Sequence, residues 1–91
     1  MSNCCVVGLG YIGLPTAALI AKSNKFVLGV DTNKNVVDTI NKGEVHFFEP
    51  GLKNLVKENI RAKKLRASLT PSYSDVFVIA VPTPFKQKAG E

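Results

Sequence analysis

The chain has 91 residues, of which 45% are hydrophobic and 21% charged, and its net charge at pH 7 is +5. This length suits one small domain spanning 1–91 and excludes two, and the composition is that of a soluble globular protein. The longest apolar runs, such as 76–81, are too short to span a membrane, and the amino terminus lacks the basic start of a signal peptide. We therefore expect a cytoplasmic protein with no membrane partner.

A glycine loop follows the first predicted strand, 3–7, and precedes a helix predicted over 11–21. Gly8 allows a tight turn off the strand, Gly10 lets a pyrophosphate approach the backbone, and Gly13 lets the helix pack close to the strand. The N–H groups and the positive end of the helix would then face the phosphates. The loop predicts a dinucleotide site, although the same glycines also occur in plain turns before helices.

Asp31 ends the second predicted strand, 26–30, and stands 18 residues after Gly13. A carboxylate in this place can accept hydrogen bonds from the hydroxyl groups of the adenosine ribose, and it repels a 2′-phosphate. The combination of strand, glycine loop, helix and acid therefore predicts NAD as the cofactor, in preference to NADP.

A second helix is predicted after Asn33, which can cap it, and Gly43 suits its carboxyl end. The apolar side chains on one side of this helix are Val36, Val37 and Ile40. The segment 44–49 reads either as a short strand or as a loop that packs its two phenylalanines. Pro50 suits the first position of a third helix.

The third helix places apolar residues at helical spacing, namely Leu52, Leu55, Val56 and Ile60. Strand three is predicted over 65–69 and strand four over 76–81, where Pro82 ends it. Right-handed crossovers then give the strand order 3-2-1-4. The predicted fold is α/β, a partial Rossmann fold with a doubly wound parallel sheet and helices on both faces.

The reversal of strand order predicts a crevice at the carboxyl ends of strands one and four, where open α/β sheets bind ligands. The glycine loop and the segment 81–84 both lie there. Thr83 could offer a hydroxyl group to the cofactor, or it could be a turn residue between two prolines.

Two further features are assigned no catalytic or binding role. Cys4 and Cys5 are adjacent in the first strand, so they point to opposite faces and read as buried, unreactive thiols rather than a disulfide or metal site. A group of cations reads as the solvated face of a helix, because no aromatic residues interleave with it as in a nucleic-acid site. Its members are Lys53, Lys57, Arg61, Lys63, Lys64 and Arg66. We expect no nucleic-acid partner and no metal.

Five strings stand in a recognisable order, namely 8–15 (GLGYIGLP), 30–33 (VDTN), 40–43 (INKG), 49–52 (EPGL) and 81–84 (VPTP). Together they resemble the N-terminal part of the UDP-glucose/GDP-mannose dehydrogenase family, over about residues 4–86. Within that family, segments 43–46, 65–68 and 81–86 are most similar to the UDP-N-acetyl-D-mannosamine dehydrogenases.

The resemblance implies an NAD-dependent oxidation of the C6 hydroxyl of a nucleotide sugar to a carboxylate, in two steps through a cysteine-bound intermediate. The family places that cysteine, and the lysine and asparagine that assist it, beyond residue 91, so we assign no catalytic residue here and a UDP-sugar substrate only to the full-length enzyme. The resemblance does assign the family's cofactor-binding residues to positions of this chain. Its residues are Gly8, Gly10, Tyr11, Ile12, Gly13, Asp31, Lys34, Pro82 and Thr83.

Family enzymes are several times longer, so the chain reads as a fragment, a truncated reading frame or a deliberately shortened protein. We expect it to produce no NADH from UDP-N-acetylmannosamine, and to form a homo-oligomer through the exposed edge of strand four. Three alternatives stay open on the sequence: a stand-alone nucleotide-binding module without catalysis, a fragment of another Rossmann dehydrogenase, and a basic nucleic-acid-binding protein.

Overall fold

A computed structural model describes residues 2–80, which form four strands and three helices. The strands are β1 (Ser2–Val7), β2 (Val27–Val30), β3 (Leu65–Ser68) and β4 (Ser74–Ile79). The helices are α1 (Gly13–Lys22), α2 (Lys34–Asn41) and α3 (Leu52–Arg61). Every predicted element is present, and where bounds were predicted the described ends differ by no more than two residues.

The four strands form one parallel sheet in the order β3-β2-β1-β4, which confirms the predicted topology. Val7 pairs with Val30 on one side and with Ile79 on the other, so the carboxyl ends of β1, β2 and β4 lie at the same edge of the sheet. The chain leaves β1 towards β2 but returns on its far side as β4. The predicted crevice is therefore at the carboxyl ends of β1 and β4.

All three helices contribute to one buried cluster on a single face of the sheet. Cys4 and Val6 of β1 belong to this cluster, together with Leu65 of β3. The helical members are Leu14, Ala17, Ala18, Ala21, Val37, Ile40, Leu52 and Val56. The expectation of helices on both faces is thus wrong for residues 2–80, because the β3–β4 connection, 69–73, has only five residues and cannot hold a helix as well as cross the sheet.

The opposite face carries a smaller cluster made of strand residues, with Cys5, Leu28 and Val30 buried and Val7 packed against them. Cys4 and Cys5 therefore point to opposite faces, and both are buried free thiols, as predicted. Burial raises the pKa of the Cys4 thiol, and the neighbouring Cys5 raises it further. A thiol held protonated in this way is a poor nucleophile.

The connection between α2 and α3 differs in part from its prediction. Asn33 caps α2 as expected, because its Oδ1 accepts hydrogen bonds from two backbone N–H groups at 2.9 and 3.4 Å. Pro50, however, does not open α3, since Gly51 follows it in a left-handed conformation (φ 82°) and is itself the cap. The segment 44–49 is a loop that packs only one of its two phenylalanines: Phe47 is half-buried and Phe48 is 87% exposed.

The two edges of the sheet differ in whether another part of the chain covers them. The side chain of Asn41 covers the outer edge of β3, where its Nδ2 donates to the carbonyl of Ala67 (2.9 Å) and its Oδ1 accepts from the N–H of the same residue (2.8 Å). Within residues 2–80, β4 pairs with β1 alone. Its residues Val76, Phe77 and Ile79 are each more than half exposed.

Between residues 2 and 80, no helix has the length and apolar character needed to cross a membrane.

Candidate dinucleotide-binding site

The first turn of the glycine loop depends on Gly8. Its φ is +97°, in the left-handed region that favours glycine, and its N–H donates to the carbonyl of Val30 (2.7 Å). The loop therefore leaves β1 while still bonded to the end of β2, which places it over the carboxyl edge of the sheet.

Gly13 opens α1 in direct contact with this turn. A Cβ atom at Gly13 would lie 1.6 Å from the carbonyl oxygen of Gly8, far inside any van der Waals contact. The helix can approach the strand this closely only because residue 13 has no side chain, as the sequence predicts. No side chain caps the amino end of α1, so its positive end is directed into the loop.

Gly10 differs from the other two glycines of the motif. It is exposed, its φ is outside the left-handed region, and a Cβ there would meet no atom within 4 Å. Neither the backbone conformation nor the packing of this chain therefore requires glycine at residue 10. The open space above it is what the predicted approach of a pyrophosphate requires.

Asp31 lies beside the loop and is already bonded to it. Its Oδ2 accepts a hydrogen bond from the N–H of Leu9 (3.0 Å), and its Oδ1 accepts one from the N–H of Asn33 (2.9 Å). A carboxylate has about four acceptor positions, so the ribose hydroxyls predicted to bind here would still find acceptors. The hydrogen bond from Leu9 was not predicted. Through it, Asp31 links the glycine loop to the end of β2.

A cavity of about 540 Å³ opens on the other side of the loop, towards β4. Its walls come from the glycine loop, the first turns of α1 and the end of β4, so it occupies the crevice that the strand order predicts. The lining residues are Gly10, Tyr11, Ile12, Thr16, Val78, Ile79 and Ala80. Pro82 and Thr83, predicted to contact the cofactor from beyond β4, lie outside the described residues.

Tyr11 stands at this cavity with 75% of its surface exposed, and its ring contacts a residue that sequence reasoning missed. The ring centroids of Tyr11 and Phe47 are 4.6 Å apart with an interplanar angle of 49°, and His46 meets Phe47 edge-on at 4.9 Å. Ile12 is similarly exposed. The loop between α2 and α3 thus reaches the mouth of the glycine loop.

Lys34 is the first residue of α2, close in sequence to Asp31. Its Nζ pairs with Oδ2 of Asp38 on the same helix (2.7 Å), and both side chains are largely exposed. The structure therefore directs the ammonium group along its own helix, and contact with the adenosine stays a prediction. Among residues 2–80, no three His, Cys, Asp or Glu side chains are grouped as metal ligands would be.

Comparison with known proteins places these features in a family. Residues 2–91 match the model of the NAD-binding domain of the UDP-glucose/GDP-mannose dehydrogenase family. The UDP-N-acetyl-D-mannosamine dehydrogenase of Salmonella typhi is 58% identical over 81 residues, which cover 89% of this chain and 19% of that protein. The Campylobacter jejuni enzyme of the same name is 56% identical over 82 residues, or 90% of this chain and 20% of its own length.

Two solved structures resemble the chain closely. The native UDP-N-acetyl-mannosamine dehydrogenase of Staphylococcus aureus has a TM-score of 0.88 and 51% identity, and the match covers 91% of this chain and 20% of that one. A ternary complex of GDP-mannose dehydrogenase from Pseudomonas aeruginosa has a TM-score of 0.86 and 31% identity, over 93% of this chain and 20% of that one. The chain spans about a fifth of the length of the relatives it matches.

Proposed function

Because the chain belongs to the UDP-glucose/GDP-mannose dehydrogenase family, as its match to the NAD-binding domain shows, we propose that it is the NAD-binding portion of a nucleotide-sugar 6-dehydrogenase. The observation that carries the proposal is the open space above Gly10, in a loop that leads into the start of α1 and is bonded through the N–H of Leu9 to the Asp31 carboxylate. A pyrophosphate placed there meets backbone N–H groups and a positive helix end.

In the proposed complex, each part of the cofactor lies against a different part of the site. The adenosine ribose takes the side of Asp31, the pyrophosphate takes the glycine loop above Gly10, and the nicotinamide end takes the cavity towards β4. When bound, NAD supplies the hydride acceptor of the family's reaction. The residues of this chain bind and orient it.

The substrate of the parent enzyme is proposed to be UDP-N-acetylmannosamine. This proposal is supported by the similarity to UDP-N-acetyl-D-mannosamine dehydrogenases, which reaches 58% identity for the Salmonella typhi enzyme. We also propose that the 91-residue chain alone is inactive. Its two cysteines, Cys4 and Cys5, are buried in a strand of the sheet and so cannot provide the accessible thiolate that the chemistry needs. Free thiols suit the reducing cytoplasm, which stays the proposed location.

Calorimetric titration of the folded chain with NAD and NADP tests the cofactor assignment. We expect saturable binding of NAD and weaker binding of NADP, because the Asp31 carboxylate would repel the 2′-phosphate. Asp31→Asn should weaken the binding of NAD by at least about tenfold, since a hydrogen bond to a charged group is worth about 1.5–3 kcal/mol. The same variant should lose most of the preference against NADP.

The control for this titration is Asp75→Asn, which makes the same charge change on β4 beside Ser74, the residue that begins that strand. It should leave both affinities unchanged. A folded chain that binds no NAD would contradict the proposed function, whereas equal affinities for NAD and NADP in the parent chain would contradict only the role given to Asp31.

We further propose that the isolated chain self-associates through β4. Asn41 covers the β3 edge, whereas the described part of the chain leaves β4 unpaired on its outer side with three large apolar side chains exposed. Such an edge recruits a second copy. Light scattering should give an apparent mass above that of the monomer, and Phe77→Lys should return it to the monomer value. Phe48→Lys, which adds the same charge at an exposed residue of the α2–α3 loop, should not, and an unchanged mass for both variants would exclude the β4 edge.

A further inference from the structure

Tyr11 is an exposed aromatic residue at a position where the fold does not require one. Three-quarters of its surface is exposed, and it lines the cavity between the glycine loop and β4. Within residues 2–80 its ring makes one aromatic contact, a tilted contact with the ring of Phe47 at 4.6 Å. That separation lies within the range in which aromatic pairs attract each other.

Phe47 is itself held in place. It is half-buried and packs against the main core cluster, and the loop that carries it is bonded at both ends. The N–H of Glu44 donates to the carbonyl of Thr39 (3.1 Å), and the N–H of Leu52 donates to the carbonyl of Glu49 (3.0 Å). An ion pair between Lys53 and Glu44 (3.2 Å) adds a further link to α3. Phe47 is therefore held in place, and the exposed ring of Tyr11 packs against it.

We propose that Phe47 is a positioning residue for the dinucleotide, acting through Tyr11. By packing its ring against Tyr11 it holds that side chain as a wall of the cavity, so that the nicotinamide half of the cofactor meets a preformed surface. The inference rests on the proposed function, because it concerns the same NAD site. It gives the α2–α3 loop a part in a site otherwise made by the glycine loop and the strand ends.

The proposal distinguishes the two halves of the cofactor. The adenosine and the diphosphate are assigned to Asp31 and to the space above Gly10, whereas Tyr11 contributes an exposed side chain to the cavity that the end of β4 also lines. Loss of the Phe47 ring should therefore weaken the binding of NAD and spare the binding of ADP, which lacks the nicotinamide half assigned to the part of the cavity beyond Gly10. A purely structural role for Phe47 would weaken both ligands together.

The chain offers both a reporter and a matched control. It contains two tyrosines and no tryptophan, so Tyr73→Phe leaves Tyr11 as the sole fluorescent side chain of its kind. Phe48 is the sequence neighbour of Phe47 and is 87% exposed. Phe48→Ala therefore removes a phenyl ring from the same loop without disturbing the contact between Phe47 and Tyr11. In the Tyr73→Phe background, the parent chain, Phe47→Ala, Phe47→Tyr and Phe48→Ala are titrated with NAD and with ADP by calorimetry. The fluorescence anisotropy of Tyr11 is measured without ligand in the parent chain, Phe47→Ala and Phe48→Ala, because Phe47→Tyr adds a second tyrosine.

Phe47→Ala should weaken NAD by about 3- to 10-fold, the worth of one aromatic pair, and ADP by less than about twofold. It should also lower the anisotropy of Tyr11, because the ring loses its support. Phe47→Tyr should restore most of the NAD affinity, and Phe48→Ala should match the parent chain in every measurement.

Equal NAD affinities for Phe47→Ala and Phe48→Ala would overturn the proposal, and so would equal losses of NAD and ADP affinity in Phe47→Ala. Both results would leave the proposed function intact, because the parent chain would still bind NAD. A folded parent chain that binds no NAD would overturn the proposed function and this inference with it.

Discussion

Gly13→Ala is expected to destabilise the chain by more than about 3 kcal/mol, the upper range for overpacking a well-packed site. The added methyl group would lie 1.6 Å from the carbonyl oxygen of Gly8 and 2.7 Å from its carbonyl carbon, and both of these are backbone atoms. No rotamer change relieves such an overlap, so α1 must move away from the turn. Since small domains are stable by only about 5–15 kcal/mol, this loss removes a large part of the free energy of unfolding. Urea denaturation followed by circular dichroism measures the loss.

Gly29→Ala is the matched control for this prediction. Gly29 is buried in β2, and a Cβ there would lie 2.8 Å from a methyl group of Leu9, a side chain that can shift. The cost should therefore be smaller than for Gly13→Ala. If Gly13→Ala were as stable as the parent chain, α1 could not be docked on the glycine turn as the structure shows.

The topology could be predicted because each of its determinants is local. The apolar run of β2 shows that both its faces are covered, and all four of its residues are buried. Asn33 and Gly43 mark the two ends of α2 by residue type alone, and the structure has Asn33 at the cap. The resemblance to the dehydrogenase family then agrees with the strand order that the right-handed crossovers had already given.

The contacts between distant segments could not be predicted in the same way. Tyr11 and Phe47 lie on different loops, and nothing in the type or spacing of either residue indicates that their rings are in contact. The bond from Leu9 to Asp31 similarly depends on where the glycine loop lies above β2. By contrast, the sequence did contain the evidence against a helix on the second face, since the connection 69–73 is too short for one. Pro50 was misplaced because Gly51, with its left-handed backbone, separates the proline from the first residue of α3.

Gly10→Ala is expected to abolish most of the NAD affinity and to leave the stability unchanged. Its Cβ would meet no protein atom within 4 Å, and its backbone is outside the left-handed region, so alanine fits the folded chain without strain. The free energy of unfolding should stay within about 0.5 kcal/mol of the parent value. The methyl group would, however, occupy the space proposed for the pyrophosphate, and binding should weaken by at least about tenfold, or 1.4 kcal/mol.

Gly51→Ala gives the opposite pattern and so serves as the control for Gly10→Ala. Its Cβ would also lie in open space, but its φ of 82° requires an alanine to adopt the left-handed conformation, at a cost of about 1–2 kcal/mol. Gly51 caps α3 and does not line the cavity beside the glycine loop, so its variant should lose stability and keep its affinity for NAD. Calorimetry and urea denaturation on both variants separate the two effects. If Gly10→Ala bound NAD as tightly as the parent chain, the pyrophosphate would not approach the backbone at this residue, and the glycine loop would be a structural turn alone.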